Sequence, residues 1–309
     1  MTIAQYDIIP DIHADIDRLT ITLKALGYHP SGGSWQHPDG KLAAFLGDFI
    51  DTGTSNRQVI ELVRAMMEDG NAVAVMGNHE LNALHFHSKG ENWLNVADGY
   101  MRAHVPKNVD QHQTFIDEFP VGSAGAAEVM SWFLTLPLFL DLGDMRMVHA
   151  CWNADDIALI SERRPDGRLL EEDLQETALQ KTPFGLAVVN ALKGPETSLP
   201  EGYGFYDKGG TWRTEVRLKW WGDAGTTWRE AALSVPDPST LPDGPLPEGI
   251  ASGLYAPDEP PVFFGHYKRY GRPEVPDAAN VMCLDYPSHP SAYRWAGEGT
   301  LDAASIVVG

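Results

Sequence analysis

Cysteine is nearly missing from this 309-residue chain: only Cys151 and Cys283 occur, too few for a disulfide framework and without CxxC spacing. Positive charge is scarce, with 23 Lys and Arg against 43 Asp and Glu and a formal net charge of −20. That balance excludes a protein that coats nucleic acid, because phosphate backbones are gripped mainly by Lys and Arg. It leaves room for an enzyme that takes a small anion at one local site. No run of about 18 apolar residues exists, so no transmembrane helix is expected. The N-terminal residues lack a basic stretch followed by an apolar one, so no signal peptide is expected, and a cytoplasmic location is the default. What is present, 43% hydrophobic and 10% aromatic residues, is enough for a sizeable core and excludes general disorder.

The first 80 residues alternate between two periodicities. Tyr6–Ile9, Leu42–Leu46 and Ala72–Met76 are short apolar runs suited to buried strands. Between them, Ile16, Leu19, Leu23 and Leu26, then Val59, Ile60, Leu62, Val63, Met66 and Met67, recur at helical spacing and stop near Gly27 and Gly70. A β-α-β-α-β order predicts parallel strands with right-handed crossovers. Helices are predicted around 111–119 and 126–134, a hairpin around Gly143-Asp144, and helix over 171–192 apart from Pro183. Five prolines between 236 and 248 mark a loop, and strand-like runs return at 262–264, 281–284, 292–295 and 306–308.

Each of the first three strands ends in a polar cluster: Asp11-Ile12-His13, then Gly47-Asp48-Phe49-Ile50-Asp51-Thr52-Gly53, then Gly77-Asn78-His79-Glu80. Ligands bind at the carboxyl ends of strands in open α/β sheets, so these clusters converge on one crevice. They offer oxygen and nitrogen ligands and no Ser or Cys nucleophile, a set suited to Mn, Fe or Zn. Two further strands end in Val148-His149-Ala150 and Phe264-Gly265-His266-Tyr267. Singly, such residues are ordinarily caps, turns or structural histidines. Their ordered combination is what carries information.

That combination resembles the calcineurin-like metallophosphoesterases, above all their phosphoprotein-phosphatase branch with its bacterial members and diadenosine tetraphosphatase-like hydrolases. It is dense over residues 6–85 and thinner over 137–152 and 262–286. The resemblance implies a four-layer α/β/β/α sandwich spanning 1–309, with an inserted cap over about 153–260. It implies a dinuclear metallophosphoesterase with two divalent or mixed-valence transition metal ions that activate a bridging hydroxide for in-line hydrolysis of a phosphoester, either a phosphomonoester or a nucleotide-type substrate. Asp11 and His13 would hold the first ion, Asp48 would bridge, and Asn78, His149 and His266 would hold the second. His79 would protonate the leaving oxygen, and Asp51 would orient it. The alternatives are a serine/threonine protein phosphatase acting on a phosphoprotein, or a non-catalytic metal-binding protein of this fold.

The chain departs from the family pattern in four places. Ala14 stands where many relatives have Gly, and Ala150-Cys151 replaces Gly-Gly after the strand-end His. Lys268 replaces a second His found in many superfamily members, as it does in the phosphoprotein-phosphatase branch. Thr52 stands where that branch carries an Arg that grips phosphate, so the clamp must come from elsewhere. The stretch 207–221 concentrates four basic residues in an acidic chain, and Arg213 or Arg217 is the expected substitute. A plain exposed basic strand is the competing reading. His85, His87, Cys151 and the Trp220-Trp221 pair are expected to have packing or supporting roles.

Overall fold

A computed structural model of the chain describes residues 5–90, 99–206, 210–222, 227–247 and 255–309. The N-terminal part runs β1 (Tyr6–Ile9), α1 (Ile16–Ala25), β2 (His29–Ser31), β3 (Ser34–Gln36), β4 (Leu42–Phe45), α2 (Asn56–Glu68), β5 (Ala72–Ala74) and α3 (Asn78–His87). Then come α4 (Pro106–Glu118), α5 (Ala124–Phe133), β6 (Phe139–Asp141), β7 (Arg146–Val148), α6 (Ala154–Arg163), α7 (Leu174–Leu179) and α8 (Pro183–Lys193). Short elements follow: β8 (Glu196–Ser198), β9 (Phe205–Tyr206), β10 (Trp212–Arg213), β11 (Glu215–Leu218), α9 (Trp228–Ala231) and β12 (Ala232–Leu233). The chain closes with β13 (Val262–Phe264), β14 (Val281–Cys283), β15 (Ser291–Trp295) and β16 (Ile306–Val308).

Two sheets form the middle. The first has the order β16-β15-β1-β4-β5, with β1, β4 and β5 parallel and β15 antiparallel to β1. The second has the order β14-β13-β7-β6, with β14, β13 and β7 parallel. Strand residues alternate between faces. Ile8, Ala44, Leu46 and Val75 of the first sheet therefore meet Met147, Phe263, Met282 and Leu284 of the second in one buried layer. Their neighbours Ile9, Ala43, Phe45, Ala72 and Ala74 join the other core, which includes Leu19 and Leu23 of α1 and Val59 and Val63 of α2. On the second sheet, Val148, Val262, Phe264, Val281 and Cys283 likewise face the helical side, with Val188 and Leu192 of α8. This is the expected α/β/β/α sandwich.

Local signals set the helix ends. Asp15 caps α1 by accepting the Arg18 N–H at 2.8 Å, and Gly27 leaves that helix at φ +92°. Thr182 caps α8, which starts on Pro183. Within 153–260, α6, α7 and α8 pack into the main core as part of the outer helical layer. The described residues between 196 and 246 instead build a small core of their own around Leu199, Phe205, Val216, Leu218, Trp228 and Leu241. Its strands form a β12-β11-β8 sheet and a β9-β10 hairpin. Trp220 and Trp221 are buried, and the Trp220 indole N–H donates to the Ala150 carbonyl at 2.9 Å, so the pair fills core. Cys151 and Cys283 are free and buried.

Candidate metal centre

The parallel strands of both sheets deliver their carboxyl ends to one place. β1 leads into Asp11 and His13, β4 into Asp48, β5 into Asn78, β7 into His149 and β13 into His266. The chain must turn abruptly to do this. His13, Asp48, Asp51 and His266 lie at φ 52°, 53°, 67° and 65°, a left-handed region that costs non-glycine residues roughly 1–2 kcal/mol each. Gly265 allows the close approach: a Cβ there would run into Asp11 Oδ1. Glu80, fully buried, accepts the N–H groups of Asp48 (2.9 Å), Phe49 (2.8 Å) and Gly77 (2.8 Å) and ties the second cluster to the third.

The six expected ligands come together. Asp48, His149 and His266 present ligand atoms within 4.8 Å of one another, and so do His13, Asp48 and His79. Asp48 is common to both groups, the place expected of a bridging carboxylate, and His79 joins the second as the expected proton donor and not as a ligand. Asn78 Oδ1 sits between two rings, 2.7 Å from His266 Nδ1 and 3.0 Å from His149 Nε2. His149 Nδ1 donates to the Leu46 carbonyl at 2.7 Å, which binds the second sheet to the first and leaves Nε2 facing Asp48 at 3.4 Å. Asp11 Oδ2 lies 3.9 Å from His13 Nε2, and its carboxylate also accepts the His266 N–H.

These residues fit a cation. His266 Nε2 is buried and has no hydrogen-bond partner among the described residues. Asn78 Oδ1, His266 Nδ1 and His149 Nε2 also crowd together, three lone-pair atoms that a positive ion would satisfy at once. Burial, with Arg217 and His149 nearby, holds His266 well below the usual imidazole range. Burial also raises Asp11, helped by Asp285. His149 is pulled the other way: burial opposes its charge, but Asp48 pushes it up to about 10.

His79 and Asp51 form the expected pair. His79 Nδ1 donates to Asp51 Oδ2 at 2.6 Å, and the His79 backbone N–H donates to Asp48 Oδ1 at 2.9 Å. Burial would lower the His79 pKa, yet Asp48 and Asp51 together raise it to about 9. Asp51 is lowered against its burial by hydrogen bonds from His112 and His79.

A cavity of about 820 Å³ opens over the cluster. Arg217, Ser234, Val235 and Pro236 from the small inserted core line one part, and Lys268, Arg269, Tyr270 and Tyr286 another. Arg217 thus reaches the cavity while its Nε donates to Glu196 at 3.0 Å. Arg213 is exposed and lines an adjacent hollow with Glu196, Glu215 and Arg217. Residues 207–209 of the basic stretch lie outside the described residues. Lys268 lines both this cavity and a second one beside Asp11, His13 and Asp285, in keeping with its place two residues after His266. His85 and His87 point away from the cluster, to Thr177 and His112 respectively.

A family model for calcineurin-like phosphoesterases matches residues 5–176, more than half of the chain. The chain belongs to that family. A bis(5'-nucleosyl)-tetraphosphatase PrpE [asymmetrical] of Halalkalibacterium halodurans is 45% identical over 75 residues, 24% of this chain and 30% of that protein. The Bacillus subtilis protein of the same name is 32% identical over 177 residues, 56% of this chain and 68% of its own length. The chain therefore aligns with under a third of the first relative and about two thirds of the second. A protein serine/threonine phosphatase of Saccharomyces cerevisiae has a similar fold, with TM-score 0.51 and 13% identity over 99% of this chain and 79% of its own. The resemblance read from the strand-end clusters is borne out.

Proposed function

We propose that this chain hydrolyses phosphoesters of small, nucleotide-type molecules, with two transition metal ions held by Asp11, His13, Asp48, Asn78, His149 and His266. Mn, Fe and Zn suit this oxygen and imidazole set. Bound there, a metal pair supplies a clamp for phosphoryl oxygens and lowers the pKa of the attacking water. The chain's own residues do the rest. His79 carries a proton at Nε2 for the leaving oxygen, and Asp51 fixes the ring through Nδ1. Arg217 from the cap segment and Lys268 from the β13 loop would neutralise the transferring phosphoryl group, in place of the Arg missing at Thr52.

The observation that carries this reading is the clustering of His13, Asn78, His149 and His266 around Asp48, with His79 held to Asp51 beside them. Binding alone would need no such pair. The names of the aligned relatives, bis(5'-nucleosyl)-tetraphosphatases, favour a dinucleoside polyphosphate as substrate. A cavity walled on one side by the inserted segment favours a small molecule over a phosphoprotein. Two buried free thiols suit a reducing cytoplasm.

The test is turnover of p-nitrophenyl phosphate, its bis-ester, a bis(5'-nucleosyl) tetraphosphate and a phosphoserine peptide by Mn²⁺-loaded protein. The nucleotide should give the highest kcat/KM. A preference for the phosphopeptide would overturn the substrate class. No turnover of any ester with Mn²⁺, Fe²⁺ or Zn²⁺ would overturn the activity.

A further inference from the structure

Asp51 has a second imidazole partner. His112 of α4 donates its Nδ1–H to Asp51 Oδ1 at 2.7 Å, while His79 donates to Oδ2 at 2.6 Å. Each oxygen of one buried carboxylate is thus held by a ring from a different helix. His112 has little freedom itself: it is buried, stacks on Phe115 with centroids 4.7 Å apart, and meets Phe86 edge-on at 5.1 Å. Its Nε2 lies 3.2 Å from His87 Nε2. A carboxylate only accepts, so Nδ1 is the protonated nitrogen of His112. With the Nδ1 proton directed at Asp51, His112 Nε2 is left to accept, and a proton on His87 Nε2 completes that contact. One tautomer satisfies both contacts.

The helix that carries His112 also grips the backbone around Asp51. Glu118, six residues further along α4, accepts the N–H groups of Asn56 and Arg57 at 2.8 and 2.9 Å. Asn56 Oδ1 in turn accepts the Asp51 N–H at 2.9 Å. The terminal torsion of an Asp side chain is soft. A single hydrogen bond to His79 would let the carboxylate swing and carry the imidazole with it.

We propose that His112 is a positioning residue of the hydrolytic reaction, holding the Asp51 carboxylate in the orientation that aims His79 Nε2 at the leaving oxygen. The role rests on the reading of His79 as the proton donor. It acts only where the leaving group needs a proton, so its loss is felt on poor leaving groups and is absent once His79 is gone.

Two amide variants separate the contacts. In His112→Asn the amide N–H can take the place of Nδ1–H toward Asp51. In His112→Gln the longer amide reaches toward His87 instead. With metal-loaded full-length protein, His112→Gln should lower kcat on an alkyl phosphate about tenfold, leave KM within about twofold, and leave p-nitrophenyl phosphate turnover nearly unchanged. His112→Asn should recover most of the loss, and His112→Gln should cost nothing further in a His79→Ala background. An equal fall on both esters, or full additivity with His79→Ala, would overturn the proposal. A His79→Ala protein that treats both esters alike would overturn the reading of His79 itself, and this role with it. In the unsubstituted protein, ¹⁵N spectra should find His112 protonated at Nδ1; protonation at Nε2 alone would also overturn it.

Discussion

Glu80 Oε2 accepts the backbone N–H of Asp48 at 2.9 Å, so the main chain of the residue common to both clusters is held from behind by a buried carboxylate. The same oxygen takes the Gly77 N–H at 2.8 Å, and Oε1 takes that of Phe49 at 2.8 Å. Three main-chain donors that would otherwise be orphaned are satisfied by one side chain, next to a residue held in the left-handed region.

Glu80→Ala should therefore cost about 3 kcal/mol or more, since each buried donor left unpaired costs about 1–3 kcal/mol. Metal affinity should fall with it, because Asp48 loses its backing. Glu80→Gln, which keeps one acceptor oxygen, should lose less of both. Urea midpoints and calorimetric metal titration measure the two effects, and a Glu80→Ala protein as stable as the parent would contradict this account.

Asp48→Asn and His149→Ala should lose bound metal and turnover together. His79→Ala should keep its metal and lose about 10²–10⁴ in turnover on poor leaving groups only. Elemental analysis beside kinetics on two esters distinguishes the classes, and metal loss in His79→Ala would make that residue a ligand.

Gly265→Ala puts a methyl group onto Asp11 Oδ1. The expected outcome is a folded protein destabilised by about 1–3 kcal/mol, with depleted metal and little activity. Full activity would mean that Asp11 has no fixed place in the site.

Arg217→Ala and Lys268→Ala should each raise KM for a phosphate ester roughly tenfold, the share of one charge-assisted contact. Arg213→Ala should change KM by less than about twofold, because it lies in the neighbouring hollow. Michaelis constants for the three variants decide which cations meet the substrate.

His85 is buried against Thr177 Oγ1 at 2.8 Å, and burial, with Lys193 and Arg102 adding to it, pushes its pKa down to about 3. The unfolded chain, with an ordinary value of about 6.5, binds a proton that the folded one refuses. Stability is thus unaffected above about pH 6.5 and falls as pH drops toward 3, with a limiting slope of about 1.4 kcal/mol per unit. His85→Gln should flatten that slope in denaturation curves between pH 7 and 4; an unchanged slope would rule His85 out as its source.

Much of this site was legible from the chain because β1, β4, β5, β7 and β13 each end an apolar run in a polar cluster, and strand ends in such sheets converge. The β2–β3 hairpin was not, since His29-Pro30-Ser31 and Ser34-Trp35-Gln36 lack alternation. His112 gave no local signal either: it sits in an ordinary amphipathic helix and meets Asp51 across 61 residues. Glu80 offered one overlooked clue, an acidic residue three positions after Gly77 where a helix N-terminus needs an acceptor. Arg213 and Arg217 share one basic stretch, and the pairing of β11 with β8 and β12, which sets where Arg217 lies, is long-range.

The two sheets own different parts of the proposed centre, Asp11, His13, Asp48 and Asn78 on one side, His149 and His266 on the other. Their spacing is inherited from the methionine and aromatic side chains sandwiched between the sheets. Turnover is therefore a gauge of how well two slabs stay in register. Warming, solvent or a core substitution that lets them slip by a fraction of an ångström would silence the enzyme while every helix and strand remained intact.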